Sequence, residues 1–447
     1  MRTKISMQTR IITGIIGITY GVIFAACQTT DQPPVSTQES SPIIVITEEA
    51  FVPESQPTSQ EISATVPISG TVTIWHSWDD TYLPALVQII TNFQVIHPSV
   101  QFDVLYLPIE NLFNRYQSEA QTGGGPGILL GPAEWGVPLF DQDLITNLLS
   151  LTDEDLLSRI NSAAMDQVTY RDAILGLPYR IEGVILYRNR DIIPVSAETF
   201  DDLVASAQSV TRGEVIGADF ERGFYFSGGH LNGIGGELIG EDGKPLFNNQ
   251  FGIQWLQLLT DFESAGPAEY NSDRDLTLFK DGRVGYIIDG TWSINVLVEA
   301  LGFEKLVVDP WPKYQGGVLA GYVQSNIMFM NSLVSDENLD ATLEFMQYFV
   351  SPESQVILAD VGYIPAVIDL QLIDEPMDRI LTQVMIALQG GTAYPAIPEM
   401  ELYIAPMDYA LRSVFDAGIT PEEALQIAED DILSSLDAME VVPTQGP

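Results

Sequence analysis

The sequence predicts an open α/β sheet with parallel strands, divided between two domains. Three observations support this prediction. A strand–helix–strand unit follows residue 70, strands and helices continue to alternate after it, and the globular part of the chain is about 380 residues long. A chain of that length is too long for one hydrophobic core, and a hydrophobic content of 46% is enough to build real cores.

The first strand–helix–strand unit lies within residues 70–106. Residues 70–77 alternate as a strand opened by glycine, and Asp79 and Asp80 can cap the helix that follows. The apolar positions of this helix fall at helical spacing, at Leu83, Leu86, Val87, Ile90 and Phe93. Since a second strand alternates through 100–106, the unit predicts parallel pairing of its two strands.

The alternation continues downstream. A helix near 110–121 ends at a run of glycines and precedes a buried strand at 128–130. After residues 177–187 helices dominate. They are predicted near 200–210, 250–264, 276–281, 291–300 and 337–350 and from Pro352 and Pro421 onward, with strands at 284–288 and 327–330.

Residues 1–26 are predicted to be a lipoprotein signal peptide. Three basic residues precede an apolar run at 11–26, which is shorter than the roughly 20 residues that span a membrane. The run ends Phe24-Ala25-Ala26-Cys27, which resembles the lipobox of bacterial lipoproteins and implies lipid attachment at Cys27. The alternative is an ordinary cleaved signal beside a chance cysteine. A single cysteine excludes an intrachain disulfide.

Residues 27–69 are predicted to be a disordered, acidic stalk. After Cys27 the segment is rich in Thr, Ser, Pro, Gln and Glu and contains no Lys or Arg. Such a composition cannot bury enough apolar surface to fold. The stalk would therefore tether the globular part to the lipid-anchored cysteine outside the cytoplasm.

The charge of the chain excludes one class of partner. Three of the 19 basic residues lie in the signal, so the remaining chain has 16 basic and 61 acidic residues, a formal charge of −45. Nucleic acid is excluded because its binding needs a basic surface, and an anionic phosphate ligand is disfavoured. The acidity suits solubility in a salty medium, and it also suits a cationic solute.

No catalytic or metal-binding motif is present. The three histidines are not in triad or metal-ligand spacing, and no Walker, G-x-S-x-G or H-E-x-x-H sequence occurs. Asp273 and Asp275 resemble the start of a calcium loop, but the glycine required three residues after Asp273 is missing. We therefore expect no catalytic residues, no cofactor and no metal, and a binding protein is favoured over an enzyme.

Several short motifs occur together in one order between residues 70 and 435. They are Ile74-Trp75-His76-Ser77-Trp78, Gly125-Pro126, Leu177-Pro178-Tyr179, Tyr187-Arg188-Asn189, Phe279-Lys280-Asp281-Gly282-Arg283-Val284, Asp289-Gly290-Thr291-Trp292, Ser351-Pro352-Glu353 and Gly362-Tyr363-Ile364-Pro365-Ala366. In this order they resemble the extracellular solute-binding proteins of family 1, the maltodextrin-binding-protein-like group that serves carbohydrate ABC importers.

The resemblance implies a periplasmic-binding-protein fold of type II, with two discontinuous α/β lobes joined by a hinge. The N-terminal lobe would comprise residues 70–180 plus 325–370. The C-terminal lobe would comprise residues 184–320 plus 375–447. These ranges agree with the two domains that the chain length requires.

Candidate ligand contacts in the first lobe follow the ends of strands, where open sheets bind ligands. Ser77 and Asp79 follow the first strand, with Trp78 beside them to stack on a sugar, although Asp79 can equally cap a helix. Glu134 and Trp135 follow the third strand, and the resemblance puts a ligand-binding carboxylate at Glu134.

The resemblance also implies contacts at the hinge and in the second lobe. Glu182 matches a ligand-binding glutamate, although it can simply pair with Arg180, and Trp292 matches a stacking tryptophan, with a core position as the alternative. The remaining candidates are Tyr225, Tyr322, and Met400 and Tyr403, which lie on a loop facing the cleft in the family. His230 is a weaker candidate, because a loop histidine is more often simply solvated. The family's C-terminal aromatic contact has no clear match around residues 405–409.

The function implied is capture of a neutral sugar or oligosaccharide by a lipid-anchored monomer that delivers it to an ABC permease and, indirectly, its ATPase. One alternative is a surface glycoside hydrolase that uses two cleft carboxylates. Another is a binding protein for a polyamine or an iron complex, which the acidity would suit.

Overall fold

A computed structural model describes residues 67–240, 242–270, 273–372 and 376–441. The predicted signal, Cys27 and residues 28–66 of the predicted stalk lie outside these ranges. The strands are β1 (Gly70–His76), β2 (Val100–Tyr106), β3 (Ile128–Pro132), β4 (Thr169–Tyr170), β5 (Ala173–Ile174), β6 (Leu177–Asn189), β7 (Ile216–Ala218), β8 (Phe220–Glu221), β9 (Ala268–Glu269), β10 (Val284–Gly290), β11 (Leu306–Asp309), β12 (Lys313–Tyr314), β13 (Gly317–Val318), β14 (Tyr322–Met330), β15 (Ile364–Pro365) and β16 (Thr392–Ala393).

The helices are α1 (Leu83–Ile96), α2 (Ile109–Ala120), α3 (Gly136–Phe140), α4 (Glu154–Leu157), α5 (Ser162–Val168), α6 (Phe200–Val210), α7 (Phe224–Ser227), α8 (Gly229–Gly233), α9 (Gln250–Ala265), α10 (Arg274–Lys280), α11 (Ile294–Leu301), α12 (Asp336–Phe349), α13 (Pro352–Asp360), α14 (Pro376–Gln389), α15 (Glu401–Phe415) and α16 (Pro421–Val441). Short 3-10 turns occupy Ala133–Trp135, Thr291–Ser293 and Pro398–Met400. Within the described ranges no helix is both long and apolar enough to cross a membrane.

The predicted strand–helix–strand unit is confirmed, with β1 and β2 paired in parallel from Gly70 opposite Val100. The predicted cap of α1 is displaced by one turn. The Asp79 carboxylate accepts a hydrogen bond from the Thr81 backbone N–H at 2.8 Å, whereas the N-cap position of α1 is Tyr82. Asp79 therefore stabilises the turn before the helix.

The main sheet has the order β2-β1-β3-β14-β6-β10-β7, with β11 and β15 also paired with β6 and β16 paired with β14. The prediction of parallel strands is right for β1, β2 and β3. It is wrong for β14, which runs antiparallel to both β3 and β6. The fold is therefore a mixed α/β sheet, because β14 returns from a distant part of the chain.

Strand β6 joins the two ends of this sheet. Its first half pairs with β14, and its second half pairs with β10 and β11. Gly183 lies between the two halves, where a Cβ would meet the Tyr322 carbonyl oxygen at 2.3 Å. Glycine therefore allows two crossing strands to approach closely at this point.

The described residues form three hydrophobic cores. The first core joins residues between Val72 and Tyr179 to residues between Ile327 and Tyr363, and Ile68 packs against its edge although it was predicted to be stalk. The second core joins residues between Val184 and Leu319 to residues between Met400 and Ile432. The third core draws on both sets of segments and on α14, and it covers β6 from Ile181 to Tyr187.

Candidate functional site

The candidate site is centred on the crossing of β6 and β14. Glu182 on β6 and Gln324 on β14 are paired in the sheet register, and both side chains are half-buried. The Tyr225 hydroxyl donates a hydrogen bond to Gln324 Oε1 at 2.6 Å. Since Tyr225 belongs to α7, this bond ties a helix of the second core to the crossing strands.

Aromatic side chains surround this crossing. The Tyr225 ring lies 6.1 Å from the Trp292 ring and 5.7 Å from the Tyr394 ring. Trp292 remains 50% exposed, and its ring lies over Gly290, where a Cβ would come within 2.0 Å of the indole. A glycine at the end of β10 is therefore needed for this tryptophan to lie across the strand end.

Two carboxylates face the same aromatic side chains. Burial raises the pKa of Glu134, its own backbone N–H partly opposes the shift, and the negative charges of Glu182 and Glu401 add to it. Burial also raises the pKa of Tyr225, with Glu182 as the next contribution. Glu134 and Glu182 are therefore close enough to repel each other, although they follow different strands.

A second wall of the site is a stack of three side chains. Tyr82 stacks on Tyr363 with ring centroids 4.1 Å apart, and the Arg180 guanidinium lies over the Tyr363 ring at 4.4 Å. Arg180 also lies 3.8 Å from the Glu182 carboxylate. With its amide oxygen facing the guanidinium, Asn326 accepts from Arg180 Nη2 at 3.1 Å.

This stack, Glu182 and Trp292 line a cavity of about 170 Å³. The site thus combines carboxylate, guanidinium and amide groups with flat aromatic rings. Such a combination suits a ligand with hydroxyl groups at its edge and apolar C–H faces, because the polar groups bind the hydroxyls while the rings cover the faces. Within the described residues, no three histidine or carboxylate side chains are grouped as a metal ion would require.

The family is decided by a match over residues 88–379 to the model of the bacterial extracellular solute-binding protein family. The chain belongs to this family. It is accordingly an extracytoplasmic solute-binding protein with the two-lobed α/β fold that the motifs predicted.

Two curated relatives and one solved structure illustrate the similarity of this solute-binding protein to others. The maltotriose-binding protein of Pyrococcus abyssi is 23% identical over 354 residues, covering 74% of each chain. A maltooligosaccharide ABC transporter solute-binding lipoprotein of Streptococcus pneumoniae is 24% identical, covering 71% of this chain and 78% of its own. An extracellular solute-binding protein of Staphylococcus aureus, solved with maltose, aligns with a TM-score of 0.73 at 19% identity, covering 83% and 98% of the chains.

Of the residues predicted from the sequence, the structure brings Glu134, Glu182, Tyr225 and Trp292 together around the crossing. Ser77 is half-buried at the end of β1, and Asp79 is exposed. Trp135 is half-buried and packs against Phe113, with ring centroids 5.3 Å apart. Part of its surface is therefore committed to the first core.

The structure corrects the role predicted for Trp78. This side chain is 6% exposed. It packs against Tyr179, Phe349 and Tyr363, and its indole N–H donates to the Tyr179 hydroxyl at 3.1 Å. Trp78 is a residue of the first core and has no face free to stack on a ligand.

Three further predicted contacts are core residues. Tyr322 is fully buried behind Tyr225 and Tyr394, so it supports these rings without reaching the cavity. Met400 and Tyr403 belong to the second core, and the Tyr403 hydroxyl donates to the Gly243 carbonyl. The predicted loop around 400–403 is instead a 3-10 turn that ends at the buried Met400 and runs into α15, whose buried residues include Tyr403.

His230 is neither a ligand contact nor a solvated loop residue. It is fully buried in α8, with Nδ1 2.6 Å from the Ala320 carbonyl oxygen. Burial lowers its pKa to about 4, so the ring is neutral near pH 7 and Nδ1 is the donor to Ala320. His230 therefore holds the segment that leads into β14.

Four residues of the site were missed from the sequence. Tyr82 and Tyr363 form the stack with Arg180, Gln324 binds Tyr225, and Tyr394 completes the aromatic side chains. Tyr363 lies in the Gly-Tyr-Ile-Pro-Ala motif, so the motif could have indicated it. Tyr394 had no signal, because it reaches the site through a backbone bond to Val323, over seventy residues earlier.

Proposed function

We propose that this protein binds a sugar or oligosaccharide in the cavity between Trp292 and the Tyr82–Tyr363–Arg180 stack and delivers it to an ABC permease. The observation that carries the proposal is the half-exposed indole of Trp292, which lines the same cavity as the Glu182 carboxylate and the Arg180 guanidinium. The names of the relatives, which include maltotriose and maltooligosaccharide binding, support the ligand class.

The proposed mechanism is closure of two lobes over the sugar. The lobes are residues 70–180 plus 325–370 and residues 184–320 plus 375–447, which correspond broadly to the first and second cores. Crossing strands β6 and β14 would act as the hinge. Ligand bridges the lobes and favours the closed state, which it must bind more tightly than the open state to shift the population. The sugar is released unchanged, so no covalent step is needed.

Lipid attachment at Cys27 would keep this ligand trap beside its permease. A diacylglyceryl group together with an N-acyl chain would exceed the two signals that stable anchoring requires. The Cys27→Ala variant is expected to appear in the medium with unchanged sugar affinity. Retention of that variant on the cell membrane would contradict the anchor.

Isothermal titration of the mature protein with maltotriose tests the proposed ligand class. We expect saturable binding and full recovery of intact maltotriose. The Trp292→Ala variant is expected to bind more weakly by about 2 kcal/mol, roughly thirtyfold in Kd, because stacking and apolar burial are lost.

Phe251→Ala is the matched control, since Phe251 is an aromatic residue that is 40% exposed at the start of α9 and does not line the cavity. Its maltotriose affinity should equal that of the unmodified protein. Equal affinities for the Trp292 and Phe251 variants would overturn the site assignment. Hydrolysis of maltotriose would favour a glycosidase.

A further inference from the structure

Trp292 separates the candidate site from a second cavity, which we call the acidic chamber. This chamber has a volume of about 390 Å³. Its walls include the aromatic rings of Trp292 and Phe226 and the carboxylates of Glu221, Asp273, Asp275 and Asp289. No Lys, Arg or His is among the described residues that line it. A ligand that stacks on Trp292 would therefore lie beside a chamber whose charged lining residues, among those described, are all acidic.

The carboxylates of the chamber differ in how their oxygens are used. Asp289 accepts hydrogen bonds from the Gly290 N–H at 2.6 Å and the Ser293 hydroxyl at 2.9 Å. Glu221 accepts from the Gly223 N–H at 2.7 Å. These two residues hold the turn that carries Trp292 and the start of α7. They build the wall of the chamber.

Asp275 is the residue that points to a ligand. Its side chain is 7% exposed and faces the chamber, and among the described residues no side chain donates a hydrogen bond or an ion pair to it. The neighbouring Leu276 N–H is its backbone contact. Burial, opposed in part by that contact, raises the pKa of Asp275 to about 8, and the charges of Asp289, Glu221 and Asp219 add to the shift. In the described part of the chain, Asp275 thus has no positively charged partner of the kind that buried carboxylates normally have.

The geometry of the chamber selects among cations. In the described part of the chain, no three carboxylates come together closely enough to hold a metal ion. An ammonium group makes a different demand. It donates three hydrogen bonds to separate acceptors and is attracted to the face of an indole ring. The spread carboxylates and the adjoining Trp292 meet that demand.

We propose that the acidic chamber is a subsite for an ammonium group of the ligand, so that the sugar taken up is an aminated one. The inference rests on the proposed function, since it extends the sugar stacked on Trp292. It replaces the neutral sugar that the sequence suggested, and it accounts for the acidity of the chain near the site. Asp275 and Asp273 would bind the ammonium group from the floor and the rim of the chamber, respectively.

Calorimetric titration with maltotriose and its three 6-amino-6-deoxy derivatives tests this subsite. Each derivative carries one amine on a different glucose unit, so the amine is tested at each of the three positions along the ligand. We expect at least one derivative to bind about tenfold more tightly than maltotriose, as charge-assisted hydrogen bonds replace neutral ones. If no derivative binds more tightly than maltotriose, the subsite is overturned while the proposed function stands.

Variants assign the effect to the chamber. Asp275→Asn should remove the preference for the amine and leave the maltotriose affinity within about twofold, since the amide keeps the shape of the side chain but cannot become a carboxylate when an ammonium group binds. Asp281→Asn is the matched control, because Asp281 is an exposed aspartate at the end of the same helix, α10. A preference that survives Asp275→Asn would contradict the proposal.

Asp273→Asn provides an independent measurement if Asp275→Asn impairs folding. Asp273 is exposed at the rim of the chamber, so its substitution should not disturb packing. It should reduce the preference without changing the melting temperature. If neither maltotriose nor any derivative binds the unmodified protein, the proposed function fails, and the aminated subsite fails with it. If maltotriose binds and no derivative binds more tightly, the aminated subsite fails but the proposed function stands.

Discussion

Trp78 and Trp292 occupy equivalent places in the chain and opposite places in the fold. Each lies two residues beyond the end of a strand, Trp78 after β1 and Trp292 after β10. Trp78 is 6% exposed among three aromatic rings of the first core. Trp292 is 50% exposed, with Tyr225 and Phe226 as ring neighbours in the described structure.

The backbone after each strand explains the difference. The Trp78 N–H donates to Nδ1 of His76 at 3.0 Å, which turns the chain so that the indole enters the core. Trp292 lies in a 3-10 turn, and its ring is laid across Gly290. The turn that follows the strand thus directs the tryptophan towards solvent at the candidate site in one case and into the core in the other. The comparison leads to three predictions.

The largest expected difference is in stability. Trp78→Ala should lower the free energy of unfolding by about 3–5 kcal/mol, because it leaves a cavity in a packed core. Trp292→Ala should lower it by only about 1–2 kcal/mol, because half of the side chain is already in contact with water. Denaturant unfolding of both variants measures the difference. Equal losses would contradict the placement of Trp78 in the core and Trp292 at the surface.

The surroundings of the two tryptophans also differ in charge, which predicts a pH effect near Trp292. The pKa of Asp275 is about 8 in the folded chain against an ordinary value of 3.8. The folded state therefore keeps a proton that the unfolded state loses. The stability contributed by this proton is complete below about pH 4 and is lost as the pH rises towards 8.

Asp275→Asn should accordingly stabilise the protein at pH 8, on the order of 1–3 kcal/mol, and should leave stability near pH 4 unchanged. The carboxylates of Asp289, Glu221 and Asp219 act on Asp275 and remain in place in this variant. The Asp281→Asn variant, which also leaves them in place, is therefore the control. Melting temperatures measured from pH 4 to pH 9 give the result. A stability gain that is the same at both ends of this range would contradict the assigned pKa.

The smallest effect concerns the hydrogen bonds beside each tryptophan. Tyr179→Phe removes the acceptor of the Trp78 indole N–H and leaves a buried donor without a partner, which should cost about 1–2 kcal/mol. Tyr225→Phe removes the donor to Gln324, which is half-buried and within reach of water, so the expected loss is about 0.5 kcal/mol. Thermal unfolding of the two variants distinguishes them. A larger loss of stability for Tyr225→Phe than for Tyr179→Phe would contradict the placement of Tyr179 in the core and Tyr225 in the cleft.

Local sequence patterns determined most of the secondary structure. The apolar spacing that starts at Leu83 predicted α1, and Ser351-Pro352 predicted the start of α13, where the Ser351 hydroxyl accepts from the Ser354 N–H. Capping residues and periodicity act over a few residues, so they can be read without the fold. Length and composition likewise indicated more than one core.

Tertiary structure alone decided which predicted residues reach the site. Glu182 and Trp292 were indicated by motifs, but the core that receives the Trp78 indole is built by Tyr179 and Phe349, which are distant in sequence. The sequence likewise could not show that Tyr403 faces the second core, since its partner is the Gly243 carbonyl. Whether a side chain lies in a core or in a cleft depends on partners from remote segments, and local pattern does not contain that information.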